Sequence, residues 1–189
     1  MPTHVEGKRS RVRSGGSGDR ANRCRDARDL FLHELGDILY VERALVDEAL
    51  PKLIDEVEDE EFKSGLETHL AQTKRHVSNV EKVFEILGEQ PHEEECIAFE
   101  GLKKEHEEMT KESSSSLIDL VDLGAAARTE SYEIAAYEGL RRMAKALGEN
   151  EAVELLDANL AQEKETLREV EKIATRISNE SFAELASTS

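Results

Sequence analysis

Between residues 29 and 178, apolar side chains return every three or four positions along four long segments, and polar residues interrupt each of these stripes near its midpoint. A period of 3.6 over so many turns belongs to amphipathic helices, which must bury their stripes against one another. The first segment covers roughly 29–57, with the stripe Phe31, Leu35, Ile38, Glu42, Leu45, Ala49, Leu53. The second covers roughly 60–87, with Leu66, Leu70, Thr73, Val77, Val80, Phe84, Leu87, and Gly88 follows as a stop. A shorter helix is predicted over about 95–112, ending near Ser113–Ser116. Two more long helices are predicted over roughly 117–147, closed by Gly148, and 150–178. Glu, Ala, Leu, Lys and Arg dominate the chain, and there are only three Pro. The chain therefore reads as all-α.

The connections set the topology. The links after the first and fourth helices are short, so each joins an antiparallel pair. Between the two pairs lies a long connection carrying the short helix. Two antiparallel helical hairpins joined by such a crossover make a ferritin-like four-helix bundle. An internal repeat supports a duplicated hairpin. Residues 67–74 read ETHLAQTK and residues 157–164 read DANLAQEK, so Thr73 and Glu163 correspond. The bundle is expected to span 29–178, with a disordered basic tail at 1–28 and a C-terminal tail at 179–189.

Charge narrows the function. The first 28 residues carry eight Lys/Arg and three Asp/Glu, a net +5, which leaves −22 on the rest of a chain whose total is −17. So acidic a body repels phosphates, which argues against a nucleic-acid partner. No apolar run approaches the ~18 residues a membrane span requires, and no signal-peptide core precedes the first helix, so a cytoplasmic protein with no membrane partner is expected. Two distant cysteines, Cys24 and Cys96, make neither a disulfide framework nor a thiolate metal site.

The polar interruptions fall at one level. At ~1.5 Å per residue, Glu42 and Thr73 lie roughly 21–24 Å from the first turn, and Glu133 and Glu163 lie about as far from the second. On the second helix His69, Gln72, Thr73 and His76 share a face. Glu130 and Glu133 both lie on the core side of the fourth helix, and Glu163 lies there in the last, with Asn159, Gln162 and Thr166 beside it. One mid-bundle layer thus gathers four carboxylates and two candidate histidines, with no Lys or Arg on the same stripes. Two divalent cations would balance four buried carboxylates, and an oxygen-rich site with one or two His suits a binuclear Fe or Mn centre better than structural Zn. A partly wet bundle centre in a metal-free protein would also solvate such groups.

The same residues carry a resemblance. ESYEIAAYEGLR (130–141) is similar to V-E-H-Y-E-I-A-A-Y-G-T-L-R of the YciF/YciE-like family of stress-associated, ferritin-like proteins. CIAFEGL (96–102), HLAQTKRHV (69–77), LGDILYVERAL (35–45) and NLAQEK (159–164) resemble that family's other motifs. The resemblance covers roughly 29–178. It implies a rubrerythrin-like bundle, a homodimer, and a carboxylate-bridged pair of metal ions. By position Glu42, Glu130, Glu133 and Glu163 match acidic residues of the pattern, and His69 matches its histidine. Gln72 and Gln162 depart from it where Glu is common, and Tyr40 stands one place late.

The functional expectation is a di-metal carboxylate protein for stress protection, oxidising Fe(II) or reducing peroxide. Glu130 or Glu163 would bridge the metals, with Glu42 and Glu133 terminal and His69 or His76 supplying nitrogen. Tyr132 and Tyr137 are either redox-active neighbours or core. The alternative is a metal-free homodimeric helical scaffold that acts by binding a partner.

Overall fold

The computed structural model describes residues 24–187, all of them helix, turn or loop. Most of the basic segment 1–28 lies outside the described residues. Helix α1 (Ala27–Ala44) starts slightly earlier than its stripe predicts, because Asp26 caps it by accepting from the amide of Asp29 at 2.8 Å. Phe31, Leu35, Ile38, Glu42 and Leu45 all face the core.

The first helix is not uniform, as its sequence pattern had implied. A π turn, Leu45–Ala49, separates α1 from α2 (Leu50–Glu56), with the amide of Leu50 bonded to the carbonyl of Leu45. Pro51 supplies the reason. It has no N–H for the carbonyl of Asp47, and its ring crowds that carbonyl in a regular α-turn, so the wider turn accommodates it.

Asp59 then caps α3 (Glu60–Ile86), accepting from the amide of Phe62 at 2.9 Å. The crossover that follows lies against α1. The amide of Glu94 donates to the carbonyl of Gly36 at 3.0 Å, and a Cβ at Gly36 would meet Glu94 Cγ at 3.0 Å. Helix α4 (Ile97–Glu112) packs on α5 (Ile118–Leu147), after a 3₁₀ turn at Ser115–Leu117. Gly148, at φ +83°, adopts the left-handed conformation that closes α5 and turns the chain into α6 (Asn150–Ser187).

Around the core α1 packs on α3, α3 on α6, α6 on α5, and α5 on α1, which closes a four-helix ring with α4 outside it. Helices α3 and α6 run antiparallel: Thr166 reaches His69, and two to three turns away Asn159 meets Asn79. The C-terminal tail expected from residue 179 is instead a continuation of α6 to Ser187. Neither Gly nor Pro interrupts that stretch. Farther back, Arg176 secures α6 by donating to both carboxylate oxygens of Asp59 at 2.8 Å.

Candidate metal centre

Helical periodicity brings the polar interruptions to one place. His69, Thr73 and His76 form one inward row on α3; Glu130, Glu133 and Tyr137 form another on α5. Glu42 comes from α1, and Asn159 and Glu163 from α6, and all of these side chains are buried. His69 Nε2 lies 3.2 Å from Glu130 Oε1. His76 Nδ1 lies 2.7 Å from Glu163 Oε1 and 3.4 Å from Glu42 Oε1. The donors fall into two groups, His69–Glu130–Glu133–Glu163 and Glu42–His76–Glu163, each with its ligand atoms within 4.8 Å of one another. Glu163 belongs to both. Gln72 is half-buried and hydrogen-bonds to none of them: His69, Thr73 and His76 occupy the centre of the α3 face and leave Gln72 at its edge.

Each histidine is held from outside by α6. Gln162 Oε1 sits 2.8 Å from His76 Nε2, so that nitrogen carries a proton and Nδ1 faces the carboxylates. The Thr166 hydroxyl donates to the carbonyl of Gln162 at 3.1 Å and accepts from His69 Nδ1 at 3.4 Å, which leaves Nε2 toward Glu130. This is how ligand imidazoles are oriented around metals. Tyr137 donates to Glu42 Oε1, and Asn159 Nδ2 donates to the Tyr137 oxygen at 3.0 Å and to the His76 carbonyl at 3.3 Å. Thr73 spends its hydroxyl on the carbonyl of His69, at 2.9 Å.

The electrostatics reflect crowding of like charge. Burial, reinforced by the charges of Glu163, Glu42 and Glu130, pushes Glu133 well above the usual carboxylate range. Burial also raises Glu42, and lifts Glu130 to about 7 against the pull of His69. Burial works against a charged imidazole, yet Glu130 and its neighbours hold His69 up at about 9, and Glu163 and Glu42 hold His76 up at about 10. Glu163 goes the other way: burial raises it, but His76 and His69 outweigh that and lower it.

These residues fit a pair of cations. Both oxygens of Glu133, both of Glu163, and one each of Glu42 and Glu130 are buried without a hydrogen-bond partner. The inner nitrogens His69 Nε2 and His76 Nδ1 approach carboxylates closely but out of hydrogen-bonding alignment. Among the described residues no Lys or Arg forms an ion pair with any of them. Buried lone pairs of this number, converging from four helices, are costly unless a cation shares them.

Sequence reasoning did not foresee several neighbours. Tyr137 was open between core and cofactor neighbour, and its hydroxyl turns out to bind Glu42. Gln162 counted only as a lost charge, whereas it orients His76. Asp122, buried on α5, lies 2.6 Å from His106 on α4. Its signal was an inward series of Asp122, Ala126 and Glu130 at four-residue steps. Tyr132 donates to Asp37 at 2.5 Å and receives the Cys96 thiol at 3.0 Å, so it ties α5 to α1 and to the start of α4. Among the described residues, no helix is long and apolar enough to cross a membrane.

Known proteins share this architecture. The family described as "Domain of unknown function (DUF892)" matches residues 26–183. Protein YciF of Escherichia coli (strain K12) is 31% identical over 140 residues, covering 73% of this chain and 84% of that protein. The crystal structure of the E. coli stress protein YciF aligns at a TM-score of 0.76 and 30% identity, covering 82% of this chain and 98% of that one. YcfI from Rhodopseudomonas palustris aligns at 0.76 and 33%, covering 80% of this chain and 96% of that one.

Proposed function

This chain belongs to the DUF892 family of YciF-like proteins, and from that premise we propose that it is a ferritin-like di-metal carboxylate protein holding two Fe or Mn ions in the mid-bundle cluster. The observation that carries the reading is Glu133: fully buried, it has both oxygens without partners and is turned toward His69, Glu130 and Glu163. One ion would be held by His69, Glu130, Glu133 and Glu163, the other by Glu42, His76 and Glu163, with Glu163 shared. Bound there, the ions supply one-electron chemistry suited to oxidising Fe(II) or reducing peroxide.

The chain's own residues set the conditions. Gln162 and Thr166 fix the imidazoles, Tyr137 holds Glu42 in place, and the surrounding helices exclude bulk water. The reading extends to a cytoplasmic, stress-associated homodimer. It is supported by resemblance to the E. coli stress protein and by the acidic body of the chain.

Metal analysis of protein purified without chelator, then loaded anaerobically with Fe(II), tests the proposal. The expected result is about two ions per chain. Protein that is folded yet takes up no metal under either condition supports the metal-free scaffold instead. Light scattering on the same preparation tests the dimer.

A further inference from the structure

One side of the cluster is slightly less sealed than the other. Glu42, His76, Glu133 and Glu163 have no solvent exposure, whereas His69 and Glu130 each retain 3%. Both also line a cavity of about 120 Å³ between the π turn and α2, α4 and α5. Ala49, Leu53, Phe99, Ala125 and Ala126 give it apolar walls, and Lys, His and Glu side chains complete the lining. The π turn contributes to one wall. Glu130 faces this space, and its Oε2 is buried without a partner.

Size and charge define what fits. An apolar cavity of ~150 Å³ accommodates a molecule as large as benzene, so this one suits a slightly smaller body. An anion would enter against Glu48, Glu56, Glu107 and Glu130, which outnumber Lys52, Lys103 and His69 in the lining. A hydrated cation finds no ligand along the apolar walls, and the buried donors it would reach, His69 and Glu130, belong to the metal cluster itself. A neutral molecule with a compact alkyl body and one hydroxyl or hydroperoxyl end meets every condition. Its body fills the space between Ala126 and Leu53, and its O–H donates to Glu130.

We propose that this cavity is a binding site for small neutral alcohols and hydroperoxides, oriented with the oxygen end at Glu130. Binding itself stands on the cavity. That the bound oxygen lies beside metal rests on the two-metal reading above.

The probe is tert-butanol, a redox-inert stand-in, titrated into metal-free full-length protein and followed through the methyl resonances of Ala125 and Ala126. For a ligand of roughly five non-hydrogen atoms, saturable shifts with a Kd on the order of 1–10 mM are expected. Ala126→Phe fills the cavity and is expected to weaken binding by about tenfold or more, which is at least 1.4 kcal/mol. Leu53→Trp narrows the same space from α2 and serves if the first variant does not fold. Shifts that fail to saturate, shifts scattered away from these methyls, or undiminished binding in a folded filling variant overturn the site. Metal content of the same preparations separates the two claims. Alcohol binding without metal uptake removes the two-metal reading alone, and metal uptake without alcohol binding removes the cavity's role alone.

Discussion

Gln162 Oε1 lies 2.8 Å from His76 Nε2, and this contact settles which face of the imidazole meets the carboxylates. With Nε2–H spent on the amide, Nδ1 is presented to Glu163 and Glu42. A residue that reads in sequence as a missing acid therefore acts as an orienting partner. Gln162→Leu should weaken metal binding by about 10- to 100-fold while leaving the helical content intact. Gln162→Glu, which retains an acceptor at that nitrogen, should restore most of the affinity. Chelator competition against each variant measures both effects.

Glu163 is common to both ligand groups, so its loss should be felt at both positions. Glu163→Ala is expected to reduce bound metal from about two ions per chain to less than one. In the metal-free protein it also strips His76 of its closest counter-charge, which should cost about 3–5 kcal/mol in denaturant unfolding. A Glu163→Ala variant that binds metal as well as the parent chain would count heavily against the site.

Metal uptake should expel protons. Near pH 7 the metal-free cluster keeps protons on His76 (about 10) and His69 (about 9), Glu130, at about 7, is half-protonated, and Glu133 is raised well above the ordinary carboxylate range. Every one of these groups must lose its proton to act as a ligand. Apparent metal affinity should therefore climb as pH rises from 6 to 8. Proton release, read by calorimetry in buffers of different ionisation enthalpy, should be at least about two per chain at pH 7.

The same shifts govern stability without metal. His69 and His76 have folded pKa values above the ordinary 6.5, so the folded state binds more protons than the unfolded one between that value and about 9 or 10. Their stabilisation is fully present below pH 6.5 and disappears as pH rises through the folded values. The raised carboxyl of Glu133 acts in the same direction, since it favours the protonated fold. The melting temperature of metal-free protein should fall by roughly 5 °C or more between pH 6.5 and 10, and metal-loaded protein should resist that fall.

Tyr137 links the cluster to its surroundings by donating to Glu42 and accepting from Asn159. Tyr137→Phe keeps the ring but leaves Asn159 Nδ2 and Glu42 Oε1 each short of a buried partner. A loss of about 1–3 kcal/mol is expected in urea unfolding of the metal-free protein, with a smaller loss once metal engages Glu42.

Much of this organisation was legible in the residue order because helices convert spacing into direction. The stripes located the four long helices, Gly148 marked one hairpin turn, and counting from the turns placed Glu42, Glu133 and Glu163 at one level, where the fold brings them together. What the order concealed depends on side-chain reach between helices. Tyr137 and Gln162 act through terminal atoms that meet residues 95 and 86 positions away, and no periodicity reports such meetings. The π turn was hidden for a different reason. Pro51 signals trouble in a regular helix, but not whether the chain will kink, stop or widen. Gln72 shows the limit of counting a face: it shares the side of His69 and His76 by arithmetic, yet Thr73 takes the inward position.

Thr73 stands where Glu163 stands in the repeated hairpin, and its hydroxyl is committed to the backbone of its own helix. The repeat is thus lopsided in its inner layer: one group has four donors, His69 included, and the other three, His76 included, with Glu163 in both. Ions arriving at such a pair would load in sequence, the richer position filling first and drawing on Glu163 before the poorer one can. On the two-metal reading, a half-filled chain would then carry its ion mostly at the His69 position, and the second ion would meet a neighbour already in place.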